Sequence, residues 1–287
     1  MNIIHKPLVD SFIDANLYQE LASITQPDVD HYAWVNTEYT TCFLNWIQSS
    51  SNYTINGLEK FPHVAYCSGT TDGIQSFVHR HGNKRRLRFS QGEFAAAKIV
   101  CNHAGFEFSY LEDGELSSND ALIISLPFSS NGGTYPSYNT LIDQCNKLDI
   151  PVLLDLAYIG ISYGIEFDLT PACISDVVFS LSKPISAHLR LGIRISRDYH
   201  DDAIQFNYEA KMYNRIAAKV GVKLMNKFSQ DYIISKYLPR QQEVCQTLKL
   251  TPTNTLTLAL GNKKEHSEFQ RNGYYRICIT DELLQYK

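Results

Sequence analysis

Between Phe61 and Ser196, short apolar runs alternate with segments whose apolar positions recur every three to four residues. HVAYC, RLRFS, FEFSYL, ALIISLP, PVLLDLA, DVVFSLS and RLGIRIS read as strands. TTDGIQSFVHRH, EFAAAKIVCNHAG and YNTLIDQCNKL read as helices, the first opened by a threonine cap and the second stopped at Gly105. Strands this apolar, alternating with amphipathic helices, predict a mostly parallel sheet covered on both faces, the three-layer arrangement of an α/β protein. Upstream the pattern is mixed, with a helical opening near Asp10–Ile24 and an aromatic-rich stretch, HYAWVNTEYTTCFLNWI. Beyond about Asp198 come two long helical stretches, AIQFNYEAKMYNRIAAKVGVKLMNKF and QDYIISKYLPRQQEVCQTL, and two short strands, TLTLAL and YYRICIT. The expected division is an N-terminal segment, 1–60, that contributes to a small domain or an interface, a large domain over 61–200, and a small α+β domain over 201–287.

Composition narrows the classes without choosing among them. The chain has 287 residues, 44% hydrophobic and 20% charged, enough for a large and a small globular unit. A net charge of −4 with scattered cations gives no reason to expect nucleic acid or an acidic membrane as partner. The basic cluster Lys84-Arg85-Arg86 with Arg88 follows a Gly-Asn turn and reads as a solvated loop face. No apolar run is long enough to span a bilayer, and MNIIHKPLVDSF lacks the long apolar core of a signal peptide, so a cytoplasmic protein is expected. Seven widely spaced cysteines with no CxxC pair indicate neither a disulfide framework nor a zinc site.

Candidate chemistry lies just past the strands, because ligands of open α/β sheets bind at the carboxyl ends of strands. HVAYC runs into Ser68-Gly69-Thr70-Thr71, which opens a helix and reads either as a plain cap or as a phosphate seat. PVLLD ends in Asp155, a carboxylate on an apolar strand that needs a cationic or N–H partner, and Tyr158 follows. After DVVFSLS stand Lys183 and then Arg190. A lysine there is costly to desolvate, so it either reaches water or has a task. Phosphate donors, carboxylate, phenol, lysine and arginine on neighbouring strand ends meet the needs of pyridoxal phosphate. That cofactor requires an amine for its Schiff base, a carboxylate for its ring nitrogen and donors for its phosphate.

The D-x-A-Y of Asp155-Leu-Ala-Tyr158 and the S-x-S-K of Ser180-Leu-Ser-Lys183, in this order and separation, resemble the fold-type I pyridoxal-phosphate enzymes, and within them the aspartate-aminotransferase-like class I/II aminotransferases. The resemblance covers roughly Pro62 to Ser196, and it implies the α/β fold of that family with a reduced small domain. It implies that Lys183 forms the internal aldimine and then shuttles the proton, that Asp155 pairs with the pyridine nitrogen and that Tyr158 bonds the ring 3′-oxygen. Gly69, Thr70 and Ser182 look like the phosphate contacts, with Arg190 as the charged clamp, and Ser68, Ser129 and Ser180 look like further cofactor contacts. Phe94 matches the ring stacked on the cofactor, against the alternative of a core phenylalanine. Arg276 in GYYRICIT matches the arginine that grips the substrate α-carboxylate. The family also implies a homodimer, with Tyr53 as a weak match to the tyrosine that reaches the neighbouring phosphate, and amino-acid and 2-oxo-acid substrates.

Departures from the pattern are specific. Ser129-Ser130-Asn131-Gly132 stands where the family has Asn-Pro-Thr-Gly, so the 3′-oxygen contact of Ser129 is weaker or passes to Asn131. The chain is shorter than the family's usual length, with a helix absent between TLTLAL and YYRICIT. His188, between Lys183 and Arg190, reads as solvent-facing or as directed to the cofactor. An aminotransferase is the expected activity. A lyase, decarboxylase or racemase on the same fold is the alternative, and a non-catalytic protein with a degenerate pocket is a third.

Overall fold

A computed structural model describes residues 14–24 and 35–284. The strands, in chain order, are β1 (Thr54–Asn56), β2 (His63–Cys67), β3 (Arg86–Phe89), β4 (Phe108–Tyr110), β5 (Asp120–Ser125), β6 (Val152–Leu156) and β7 (Glu166–Asp168). They continue with β8 (Ile174–Ser180), β9 (Gly192–Ser196), β10 (Thr251–Pro252), β11 (Leu258–Leu260), β12 (Gln270–Arg271) and β13 (Tyr274–Cys278). Seven form one sheet in the order β2-β9-β8-β6-β5-β3-β4. All neighbours are parallel except β9, which runs antiparallel to both β2 and β8.

The alternation along each strand decides which layer it feeds. Leu122 and Ile124 of β5, Val152 and Leu154 of β6, and Val177 and Phe179 of β8 join one core with the helices Val35–Gln48, Tyr138–Lys147 and Arg215–Lys227. Ala121 and Ile123, Leu153, and Val178 face the other side, where the helices Thr70–His81 and Ala96–Ala104 cover them. Strand β6 is buried at all five positions, in keeping with a run that is apolar except for Asp155.

The carboxyl-terminal part has its own antiparallel sheet, β10-β11-β13-β12, beside the helix Tyr232–Leu248. Between β11 and β13 stand only the short turn Ser267–Phe269 and the two-residue β12, in place of the absent helix. The helix Ala15–Ala22 is capped by Asp14, which is buried and bound by Lys236 at 2.6 Å and by the hydroxyls of Tyr232 and Tyr237. Residues 10–13 of the expected opening helix lie outside the described residues.

Three local expectations are corrected. The helix Thr70–His81 has Gly69, not a threonine, at its cap position, and no side chain caps it. The stretch from Ala203 is two helices, Ala203–Glu209 and Arg215–Lys227, because Lys211 turns to φ 60° and Asn214 caps the second at 3.0 Å from the Ala217 nitrogen. The basic cluster is not wholly a solvated face. Arg88 is 1% exposed and donates to Asp120 and to the carbonyls of Tyr110, Gly114 and Glu115, while Arg86 grips Asp120 through two nitrogens. Strand alternation turns Arg88 inward, and the buried carboxylate at the start of β5 balances its charge.

The helix Thr70–His81 lies close on β8: a Cβ added at Gly73 would sit 2.3 Å from Val178 Cγ1. Gly73→Ala is therefore expected to push this helix off the sheet and to cost about 1–3 kcal/mol despite alanine's better helix propensity. Urea denaturation of the variant checks this, and an unchanged or raised stability refutes it.

Candidate active site

Four parallel strands and the reversed β9 bring their functional ends to one edge of the sheet. The register sets Ser125 of β5 beside Asp155 of β6, Asp155 beside Val178 of β8, and Ser180 beside Gly192 of β9. A cavity of about 130 Å³ opens at this edge. Of the residues singled out in the sequence, Gly69, Thr70, Phe94, Ser129, Asp155, Tyr158, Ser180, Ser182, Lys183, Arg190 and Arg276 all line it. Ser68 does not; it is exposed, and only its carbonyl takes part, accepting from Arg190 Nη2 at 2.5 Å.

Lys183 stands in a single wide turn, Ser182–Ser186, closed by the Ser186 N–H donating to the Leu181 carbonyl at 3.1 Å. Such one-turn π geometry is frequent at functional sites. Ser180 fixes the start of the turn, its hydroxyl accepting the Ser182 N–H at 3.0 Å and lying 2.8 Å from the Ser182 hydroxyl. The Lys183 Nζ is 5.8 Å from the centre of the Tyr158 ring. Tyr158 is buried, and burial raises its phenol's pKa while the charges of Arg276 and Arg271 pull it back.

Asp155 is 5% exposed, and burial raises its carboxyl to a pKa of about 6. The Ala157 N–H at 2.9 Å, the Thr70 hydroxyl and the charge of Lys183 oppose that rise without cancelling it. On the opposite side, Gly69 takes φ 81° and a Cβ there would lie 2.8 Å from Arg190 Nη2. Backbone and guanidinium thus meet in a close cradle that only glycine permits. Arg190 itself sits at φ 52°, and its carbonyl accepts from the Tyr66 hydroxyl at 2.8 Å.

The substrate side is built from distant segments. Arg276 on β13 is 8% exposed and donates to the Ser129 carbonyl at 2.7 Å. Phe94 is 37% exposed at the cavity wall, which removes the alternative of a core phenylalanine. Asn131 does not line the cavity. Its amide is spent on its own loop, accepting from the Gly133 N–H at 2.8 Å and donating to the Thr134 carbonyl at 3.0 Å. His188 is exposed and also outside the lining. Tyr53 is buried with its hydroxyl on the Ile47 carbonyl at 2.7 Å and its ring edge-on to Phe167, so it cannot serve a neighbouring subunit in this position.

Among the polar residues of the site, Arg271, Glu93 and Ser125 were missed in the sequence. Arg271 on β12 lines the cavity and donates from Nε to the Gly92 carbonyl at 3.1 Å, and from Nη2 to the Glu93 carbonyl at 3.0 Å and the Ser129 hydroxyl at 3.3 Å. Glu93 is buried under the site, accepting from the Ser125 N–H at 2.8 Å and the Ser125 hydroxyl at 2.5 Å. Burial pushes its carboxyl up to about 7. The signal for Glu93 was a carboxylate within the small-residue run Ser90–Ala97; Arg271, in a polar loop, gave none.

No protein-family model and no curated protein matches the sequence. Solved structures do match in shape. A PLP-bound C-S lyase from Staphylococcus hominis superposes with a TM-score of 0.70 at 13% identity, over 99% of this chain and 92% of that one. A probable N-succinyldiaminopimelate aminotransferase from Thermus thermophilus gives 0.69 at 15% identity, over 99% and 92%. The L-threonine-O-3-phosphate decarboxylase of Porphyromonas gingivalis gives 0.62 at 15% identity, over 94% of each chain. At such identities the likeness speaks for architecture, and a mostly parallel seven-stranded sheet with β9 reversed and helices on both faces agrees with it: the chain has the fold of the fold-type I pyridoxal-phosphate enzymes.

Proposed function

We propose that the chain is a pyridoxal 5′-phosphate-dependent aminotransferase that moves an amino group between an amino acid and a 2-oxo acid. The observation that carries this is the meeting of Lys183, Asp155 and the Gly69–Arg190 cradle in one cavity. The donor set fits the cofactor. Asp155, buried and held near 6, is a carboxylate short of a cation, and a protonated ring nitrogen beside it would restore its charge. Gly69 and Thr70 at the helix start, with Arg190 and Ser182, suit a phosphate, which takes backbone N–H groups and a guanidinium together. Phe94 offers a flat face to the ring, and Tyr158 a hydroxyl to its 3′-oxygen.

When bound, pyridoxal phosphate supplies a ring that accepts electron density from the substrate's α-carbon. Lys183 would hold the group through Nζ and, with that nitrogen released, would be the base that moves the proton at that carbon. Arg276 orients the substrate by its α-carboxylate, a task that suits a planar guanidinium already fixed to the Ser129 carbonyl. The C-S lyase and the decarboxylase of like shape use the same architecture, so the choice of reaction rests on the acceptor.

Borohydride reduction of the protein with added pyridoxal phosphate, followed by peptide mapping, is expected to fix the adduct on Lys183, and Lys183→Ala to lose both adduct and turnover. Turnover should require a 2-oxo acid; release of ammonia, carbon dioxide or a thiol without one moves the assignment to a lyase or decarboxylase. An adduct elsewhere, or an active Lys183→Ala, sinks the proposal.

The buried carboxyls make a second prediction. Glu93 near 7 and Asp155 near 6 hold protons in the folded chain that the unfolded chain, with ordinary values of 4.5 and 3.8, has already lost. Their contribution to stability therefore falls as pH rises from about 4 to about 7. His81, lowered to about 4 by burial, acts in the opposite sense in this window, so the variant must be compared with the wild type. In the cofactor-free protein Glu93→Gln should lose less stability between pH 5 and pH 8 than wild type does, by about 2–3 kcal/mol. Parallel pH profiles from urea denaturation would show that Glu93 titrates normally.

A further inference from the structure

Beside the Lys183 cavity lies a second one of about 390 Å³, and the two share Phe94, Arg271 and Arg276 as walls. The second cavity is also lined by Gln91, Lys98 and Gln270. Its cationic residues are Lys98, Arg271 and Arg276, and its one acidic residue is Glu93. The Glu93 carboxyl accepts from the Ser125 N–H and hydroxyl; its charge acts on Arg271 from a distance, with no hydrogen bond or ion pair between the two.

Arg271 has a particular imbalance. Its three acceptors are two carbonyls and a hydroxyl, none of them a carboxylate. Its Nη1 donates to no group among the described residues and is not sealed in the interior. Burial and the adjacent Arg276 charge both lower its pKa, so the folded chain holds two repelling guanidiniums at one cavity wall. Such an arrangement is costly unless an anion joins it. Resting on the reading of the Lys183 cavity as an amino-acid site, Arg276 is already assigned to the α-carboxylate, which leaves Arg271 for a different anion.

We infer that the second cavity receives a distal oxyanion on the substrate's side chain, a carboxylate or a phosphate, with Arg271 Nη1 as its chief contact and Lys98 at the outer wall. The substrate class is then an amino acid, and its 2-oxo partner, with a second acidic group. Lys98 is exposed, with its Nζ 5.8 Å from the centre of the Tyr110 ring and no carboxylate paired with it among the described residues, so its charge is available to the cavity.

The test uses the protein reconstituted with pyridoxal phosphate and reads dissociation constants from the change in its visible band. L-glutamate is compared with L-glutamine, and O-phospho-L-serine with L-serine. At least one acidic ligand is expected to bind about tenfold or more tightly than its neutral counterpart, and the pair that discriminates tells carboxylate from phosphate. Arg271→Gln should bring that ratio close to one. Lys98→Met, on the exposed wall, should reduce it several-fold and covers the case in which Arg271→Gln loosens the Gly92–Glu93 loop and fails to fold. Ratios near one in wild type, or a wild-type preference that both variants keep, overturn the inference while an adduct at Lys183 leaves the cofactor assignment standing. Absence of that adduct overturns both.

Discussion

Asp155 hangs from a strand that has no solvent on either face, and the site is arranged around that charge. A carboxylate at the end of β6 is largely withdrawn from solvent, and one N–H, one hydroxyl and a lysine charge leave its pKa near 6. The neighbouring strand ends bring groups that answer it: the turn of Lys183 after β8 and Thr70 at the helix start after β2, while Ser125, in register on β5, is spent on Glu93. Because parallel strands end together, this concentration of polar groups follows from the topology. The reversal of β9 adds Arg190 to the same edge, since an antiparallel strand begins where its neighbours end.

The two apolar cores keep this edge rigid. Each inner strand gives alternate residues to opposite layers, so β5, β6 and β8 are clamped from both sides and their ends have little freedom to shift. The close approach of Gly73 to Val178 and the cradle between Gly69 and Arg190 fall at the start of one helix. Packing and binding are therefore coupled there: the same helix that seals the sheet presents the N–H groups suited to a phosphate.

The substrate side rests on different physics. Arg271 and Arg276 come from β12 and β13 and are held by carbonyls of the Gly92–Glu93 and Ser129 loops, so two guanidiniums sit at one cavity wall. Ser129 and Asn131 belong to the loop at this junction of the small sheet with the large one. Asn131 turns into its own loop, and Arg271 reaches the Ser129 hydroxyl instead.

Strand and helix periodicity needs only neighbours along the chain, and the sequence by itself therefore determined the seven central strands, the helices between them and which polar residues stand at the strand ends. Lys183, Asp155, Tyr158, Gly69, Thr70 and Arg190 were legible because each stands directly after a local pattern that fixes its place. Arg276 was legible as a charge in an apolar strand, and the structure places it at the cavity wall on the Ser129 carbonyl. Glu93, Arg271 and the inward turn of Arg88 were not, and Tyr53 was misplaced. Their environments come from segments far away in the chain: β5 for Glu93 and Arg88, the Gly92 and Ser129 loops for Arg271, and Phe167 for Tyr53. Burial and charge balance are properties of packing between elements, so only the tertiary structure decided them.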